Sequence, residues 1–136
     1  MKNNTISSEH GTVLIPGRTE GPVLISPDTF CFARLGPRSG IITDKRVSLF
    51  GQTIKEKILV ILCHRGSTRS PAVFLETCRH KAGPLAILVR KSDSMLVFSV
   101  LLVKEFCNLT IPLMEGVDEE ILEGLKPDSF VRVDTC

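Results

Sequence analysis

Hydrophobic residues in this chain form short runs, and after residue 57 the order of these runs predicts alternating strands and helices. Residues 58–62 and 85–89 are continuously apolar, which is typical of parallel strands covered on both faces. Residues 71–81 and 94–107 have helical spacing and would form the crossovers between parallel strands. The pattern therefore predicts an α/β fold, with a small, largely parallel sheet core and helices on its faces.

The N-terminal part is instead rich in β-forming residues. Short β-runs occupy residues 12–17, 22–26 and 30–33, and residues 18–21 between the first two indicate a hairpin-like turn. Residues 41–51 show neither helical nor strand periodicity. The sequence therefore predicts a β-rich start followed by a long surface loop.

The C-terminal part predicts three further elements. Residues 111–114 favour a strand, residues 118–125 a short helix with an acidic first turn, and residues 130–133 a closing strand. The helix predicted at 94–107 is apolar nearly all round, which indicates burial on several sides. We expect part of that surface to be available to a partner.

Length and composition narrow the classes of protein. The 136 residues are 43% hydrophobic and 24% charged, as in a soluble globular chain, and no apolar run approaches the ~20 residues that span a membrane. The first ten residues lack the apolar core of a secretory signal, so a cytoplasmic location is expected. We expect loose order over residues 1–9 and a single domain over residues 10–136.

Charge and aromatic content argue against nucleic-acid binding. The net charge is only +2, and the chain has no Trp or Tyr to stack on bases. The five cysteines are odd in number, scattered and never spaced as C-x-x-C. Neither a disulfide framework nor a metal or iron–sulfur site within this chain is predicted.

The segment that carries candidate chemistry follows the apolar run at 58–62. It reads Cys-His-Arg-Gly-Ser-Thr-Arg-Ser-Pro over residues 63–71 and leads into the first predicted helix. Ser70 is placed to cap that helix, and Pro71 suits its first turn. A polar loop between a strand and a helix N-terminus predicts an anion-binding site, although many strand-to-helix loops favour Gly and Ser without any catalytic role.

One functional hypothesis takes Cys63 as a nucleophile, because residues 63–70 fit the C-x5-R-[ST] pattern of cysteine phosphatases. In that class the thiolate attacks phosphorus, and loop N–H groups and an arginine, here Arg69, hold the phosphoryl oxygens. Leu62 stands where that family usually has His, and Asp44 is a candidate acid only by default. The strands predicted beyond the loop also differ from the mostly helical pattern of such phosphatases.

A second hypothesis takes Ser67 as the reactive group. Residues 66–69, Gly-Ser-Thr-Arg, are similar to the Gly-Ser-Ser-Arg loop on the small swivelling domain of aconitase-type hydro-lyases. Over residues 11–134 the chain resembles the small subunit of the aconitase X dehydratases. The matching pieces lie in the family's order: 17–26, 40–44, 51–60, 65–67, 84–88 and 130–134. Residues 32–36 and 68–71 depart from the family pattern.

The resemblance implies a swivelling β/β/α domain that supplies half of an active site. Ser67 would be the catalytic base, and Arg65, Gly66, Thr68 and Arg69 would bind a small anionic substrate, either a phosphorylated mevalonate or a hydroxyproline. His64 is not assigned a role.

The resemblance also implies a heterodimeric hydro-lyase, with an iron–sulfur cluster on a larger partner subunit and no cofactor or metal on this chain. A non-catalytic interaction subunit remains a third possibility.

Overall fold

The computed structural model describes residues 5–136, which form one seven-stranded sheet with three α-helices. The strands are β1 (Thr5–Ser7), β2 (Thr12–Ile15), β3 (Arg18–Phe30), β4 (Ile58–His64), β5 (Ala86–Val89), β6 (Leu113–Glu115) and β7 (Phe130–Asp134). The helices are α1 (Ser70–Arg79), α2 (Ser94–Cys107) and α3 (Glu119–Gly124).

The strand order is β1-β7-β3-β4-β5-β6-β2, and the central four strands, β3 to β6, are parallel. Helices α1 and α2 connect β4 to β5 and β5 to β6, as crossovers between parallel neighbours require. The two antiparallel pairs lie outside this centre, between β3 and β7 and between β2 and β6. The α/β fold with a largely parallel core is therefore confirmed.

The predicted hairpin-like start is wrong. Residues 18–30 form one long strand, β3, and the predicted turn at 18–21 is extended because β7 pairs with it: Arg18 lies opposite Asp134. From Val23 onward β3 pairs with β4 instead. The run predicted at 30–33 ends as a 3-10 turn at Phe32–Arg34. The extended conformation of residues 18–21 thus depends on pairing with β7, a strand more than 100 residues away, and the local sequence does not encode that pairing.

The first nine residues are only partly described. Residues 1–4 lie outside the described residues, so the expected loose order can be compared only from residue 5. There Thr5–Ser7 form β1, which pairs in parallel with β7 and buries Ile6.

Alternate residues of the central strands face two hydrophobic clusters, one on each side of the sheet. Leu59 and Ile61 face the cluster that includes Phe74 of α1 and Val100 of α2. Ile58, on the other face, belongs to the cluster that includes Leu122 of α3. Both faces of β4 are therefore covered, which explains its uninterrupted apolar sequence.

The predicted long surface loop at 41–51 is partly wrong, because this segment packs onto the core. Ile42 and Leu49 are buried, and Ile41 forms an isolated bridge with Thr53. Gly40, with φ +70°, fits the segment closely against the chain between α1 and β5: a Cβ there would lie 2.4 Å from the carbonyl oxygen of Ala82. The polar residues that follow Ile42 are thereby held near the carboxyl end of β3.

Helix α2 is buried on one side only. Leu96, Val100 and Val103 are fully enclosed, whereas Phe98 is 48% and Phe106 69% exposed. The burial on several sides predicted for this helix is thus wrong within the isolated chain. Across residues 5–136, none of the helices has the length and apolar character needed to traverse a bilayer.

Candidate active site

The loop between β4 and α1 is held in shape by hydrogen bonds among its own residues. The Ser70 amide donates to the Ser67 carbonyl over 3.0 Å, and the Arg69 amide donates to Ser67 Oγ over 3.2 Å. Helix α1 begins at Ser70, and its N-cap residue, Arg69, makes no capping hydrogen bond through its side chain to the described residues. The prediction that Ser70 caps the helix is therefore wrong, whereas Pro71 does lie in the first turn.

This loop forms one side of a cleft of about 870 Å³. The end of β3, the 3-10 turn at Phe32–Arg34 and the docked 41–51 segment complete it. Most of the lining residues are polar or charged: Asp28, Thr29, Cys31, Arg34, Asp44, Arg46, Cys63, Arg65, Ser67 and Arg69, with Pro27, Ala33 and Val47. The carboxyl ends of parallel strands are the usual place for a ligand site in an open α/β sheet.

Three of the five predicted site residues meet in this cleft, namely Arg65, Ser67 and Arg69. Thr68 is exposed outside it. Gly66 also lies outside the lining and instead lets the loop approach the start of α2. A Cβ on Gly66 would lie 2.8 Å from Asp93 Oδ2 and 3.2 Å from Met95.

His64 lies behind the loop and not in the cleft. Its side chain is 1% exposed, its Nδ1 is 3.0 Å from Asp93 Oδ2, and its buried Nε2 has no hydrogen-bond partner within the described part of the chain. Burial lowers the pKa of the imidazole, and the Asp93 carboxylate only partly opposes this. His64 is therefore neutral at neutral pH, and it connects the loop to Asp93, the N-cap of α2.

Cys63 is exposed in the cleft, with its Sγ 3.5 Å from Thr29 Oγ1. Strand β4 continues through His64, and the Arg65 amide donates to the Phe30 carbonyl over 2.9 Å. That amide is thus unavailable to an oxyanion at Cys63, whereas a cysteine phosphatase needs its loop amides there. The geometry of the loop disfavours the phosphatase hypothesis.

Asp44 is paired with Arg46 through two side-chain hydrogen bonds of 2.9 and 3.2 Å. Hydrogen bonds from the Arg46 guanidinium and amide hold the pKa of the Asp44 carboxyl below its ordinary value. Asp44 is therefore ionised at neutral pH and is poorly suited to the proton-donating role that the phosphatase hypothesis gave it.

Sequence reasoning missed Asp28, Thr29, Arg34 and Arg46 as cleft residues. Asp28, Thr29 and Arg34 lie between or just after the predicted β-runs, Arg46 lies in the predicted irregular loop, and no motif marks any of them. The one available signal was the abundance of Arg in residues 34–46, but a surface loop explains that equally well.

Comparisons with known proteins identify the family. The family model of the aconitase X swivel domain matches residues 8–136. The phosphomevalonate dehydratase small subunit of Methanosarcina mazei is 31% identical over 90% of this chain and 82% of that protein. The one from Thermococcus kodakarensis is 30% identical over 91% and 87%.

A crystal structure of Thermococcus kodakaraensis aconitase X in its holo form is similar in fold. It superposes with a TM-score of 0.79 and 29% identity, over 91% of this chain and 88% of that one. Sequence and fold therefore agree over nearly the whole described chain, and the chain belongs to the aconitase X swivel-domain family.

Proposed function

We propose that this chain is the small subunit of a heterodimeric dehydratase and that Ser67 is its catalytic base. The observation that carries the proposal is the position of Ser67 in the cleft beside Arg65 and Arg69, with its Oγ accepting the Arg69 amide. Family membership supplies the reaction class, because curated relatives are named phosphomevalonate dehydratase small subunits.

A serine can act as a base only as an alkoxide, which is unfavourable in neutral water. The Arg69 amide, 3.2 Å from Ser67 Oγ, and the positive potential of Arg65 and Arg69 favour the charged form. The alkoxide takes a proton from a substrate carbon, the C–H electron pair becomes the new C=C bond, and the hydroxyl on the neighbouring carbon leaves as hydroxide with its C–O pair. Transfer of the proton from Ser67 to that hydroxide gives water and restores the alkoxide, so the net products are an alkene and water.

We propose that an iron–sulfur cluster on a larger partner subunit acts as the Lewis acid for the leaving hydroxyl. Among residues 5–136 no three His, Cys, Asp or Glu side chains converge as a metal-binding group, so a cluster would need ligands from elsewhere. The small-subunit names of the relatives support a larger partner. Phe98 and Leu101 on α2 are exposed, and in the proposed complex such a partner would cover them.

The substrate that we propose is a small anion held by the Arg65 and Arg69 guanidiniums, which can bind a carboxylate or phosphate through paired hydrogen bonds. A phosphorylated mevalonate is favoured by the names of the relatives, and hydroxyproline is the alternative.

The test is Ser67→Ala in the assembled complex with its large subunit. Loss of a general base predicts a fall in kcat of about 10²–10⁴-fold with a smaller change in KM. Cys63→Ser is the matched control: it replaces a neighbouring lining residue without removing the base, and kcat should change by less than about threefold.

The opposite pattern would support the phosphatase hypothesis. That pattern is an active Ser67→Ala complex together with hydrolysis of p-nitrophenyl phosphate by the isolated chain, lost in Cys63→Ser. A third outcome is that neither substitution affects dehydration and that the large subunit dehydrates the substrate equally well without this chain. That outcome would indicate a non-catalytic interaction subunit.

A further inference from the structure

The arginines of this chain fall into two groups. Five of the nine form ion pairs with a carboxylate: Arg18, Arg46, Arg79, Arg90 and Arg132. The other four make no ion pair with any residue in the described range 5–136. Three of these four, Arg34, Arg65 and Arg69, line the same cleft, and the fourth, Arg38, lies outside it.

Arg34 reaches the cleft from a different segment than the Ser67 loop. It ends the 3-10 turn at Phe32–Arg34, in which Phe32 is fully buried and lies 4.4 Å, ring centre to ring centre, from Phe74. The Arg34 carbonyl accepts the Thr43 amide over 3.0 Å, which ties the turn to the docked segment. Its backbone is thus fixed from both sides while its side chain is exposed.

The carboxylates of the cleft are already engaged. Asp44 is bonded to the side chain and amide of Arg46 and interacts only weakly, through its charge, with Arg34. Asp28 Oδ2 accepts the Ser48 amide over 2.7 Å. Four guanidiniums and two carboxylates therefore line the cleft, and it carries excess positive charge. Unpaired like charges held in one concave site repel each other, and an anionic ligand relieves this.

We propose that Arg34 is a specificity-determining residue that binds a second anionic group of the substrate, while Arg65 and Arg69 bind the first. The Asp44–Arg46 pair is a positioning element that fixes the segment beside Arg34. This inference rests on the proposed function and deepens it. It requires a substrate with two anionic groups, such as a phosphate and a carboxylate on one carbon chain. A cyclic amino acid such as hydroxyproline has only one anionic group.

The test uses the assembled complex and a phosphorylated hydroxy acid as substrate. Arg34→Gln is expected to raise KM by about 10- to 100-fold, as loss of a charge-assisted contact predicts, with a much smaller change in kcat. Arg34→Lys keeps the charge and should recover part of the loss. Arg38→Gln removes an unpaired arginine four residues away, outside the cleft, and KM should not change.

Binding by the complete small chain gives a second readout that does not depend on turnover. The probes are 3-phosphonopropionate, which carries two anionic groups, and methylphosphonate, which carries one, both measured by calorimetric titration. Wild type should prefer the first probe, and Arg34→Gln should reduce that preference by about tenfold or more. Methylphosphonate affinity should change little.

The results separate this inference from the proposed function. If Ser67→Ala abolishes dehydration but Arg34→Gln changes neither KM nor the probe preference, only the role of Arg34 is wrong. If Arg38→Gln has the same effect as Arg34→Gln, the effect is one of general charge and the assignment also fails. If Ser67→Ala remains active, the proposed function fails, and the probe titration still decides whether Arg34 binds a second anion.

Discussion

The His64 side chain lies behind the Ser67 loop, and one of its ring nitrogens is buried without a hydrogen-bond partner among residues 5–136. With Asp93 accepting from Nδ1–H, Nε2 is the unprotonated nitrogen and has nothing to accept from. Protonating the ring would place a charge on a buried nitrogen with no acceptor, which is why burial outweighs Asp93 in lowering its pKa. His64 is therefore suited to joining the loop to α2 and poorly suited to carrying protons.

This predicts a pH dependence of stability. The folded-state pKa of His64 lies below its unfolded value of about 6.5. The stability that neutral His64 contributes to the folded chain is therefore fully present above about pH 6.5, and it is lost as pH falls from there toward the folded-state pKa. The free energy of unfolding should decrease on acidification by at most about 1.4 kcal/mol per pH unit from this group. Urea titrations at pH 7.5 and 5.5 measure the slope.

The matched variants are His64→Gln and His80→Gln. His64→Gln should reduce the difference in unfolding free energy between the two pH values, whatever the absolute stability of the variant. His80 lies at the partly exposed end of α1, so His80→Gln should retain the His64 contribution to that difference. An unchanged difference in His64→Gln would contradict the assignment.

Gly66 predicts an effect on activity that exceeds its effect on stability. In Gly66→Ala the new methyl group would press on the Asp93 carboxylate and on Met95. These are side-chain atoms that can yield, so we expect at most about 1–2 kcal/mol of destabilisation. The loop would move, however, and small displacements of catalytic groups can cost about 10²-fold in rate.

Gly124→Ala is the control for this change. Gly124 ends α3, and among residues 5–136 no atom outside its immediate chain neighbourhood lies within 4 Å of an added Cβ. It should leave activity unchanged. Equal kinetic losses in the two variants would show that Gly66 has no special role in placing the loop.

At the scale of elements, the docked 41–51 segment supplies part of the cleft lining through Asp44, Arg46 and Val47. Sequence reasoning predicted the strands and helices around it because their apolar periodicity is strong, and it predicted the Ser67 loop because a polar run follows an apolar strand. It could not predict that residues 41–51 are docked. That depends on a bridge at Ile41 and on burial of Ile42 and Leu49, contacts with residues elsewhere in the chain.

Gly40 tests whether that docking matters. Gly40→Ala would add a methyl group 2.4 Å from the Ala82 carbonyl oxygen, a backbone atom that cannot move freely, and would also disfavour the positive φ. We expect a loss of about 2–4 kcal/mol in unfolding free energy and weaker binding of 3-phosphonopropionate, because the segment carrying Asp44 and Arg46 would shift.

Gly51→Ala separates strain from steric conflict. Gly51 has φ +88° but open space around an added Cβ, so only the backbone strain of about 1 kcal/mol should remain. If Gly51→Ala destabilises the chain as much as Gly40→Ala, the contact with Ala82 is not important for docking. Urea unfolding and probe titration on both variants measure the difference.

At the scale of the whole molecule, the sheet order was only partly predictable. Parallel central strands follow from continuous apolar runs separated by helices, but nothing local indicates that β7 inserts between β1 and β3. That pairing joins Arg18 to Asp134, and it is stabilised by burial of Val131 and Val133. Pairings across almost the full chain depend on which edges remain open once the core has formed, which is a property of the assembled sheet.

A single buried thiol can report whether this sheet and its helices unfold as one unit. Cys78, on α1, is 4% exposed in the larger hydrophobic cluster, and burial, with a smaller contribution from Cys107, raises its pKa to about 12. With this pKa, only about one in 10⁴ Cys78 thiols is ionised at pH 8 in the folded chain. The thiolate is the form that reacts with alkylating agents. Folded Cys78 should therefore resist alkylation.

We predict that iodoacetamide at pH 8 modifies the exposed Cys63 and Cys136 quickly and Cys78 only through global unfolding. The free energy derived from the Cys78 labelling rate should fall with urea along the same slope as the equilibrium unfolding curve. Peptide mass spectrometry assigns each site, and Cys63→Ser removes the fast cleft signal as a control. A Cys78 rate that does not depend on urea would instead mean that α1, and with it the Ser67 loop, opens while the sheet stays folded.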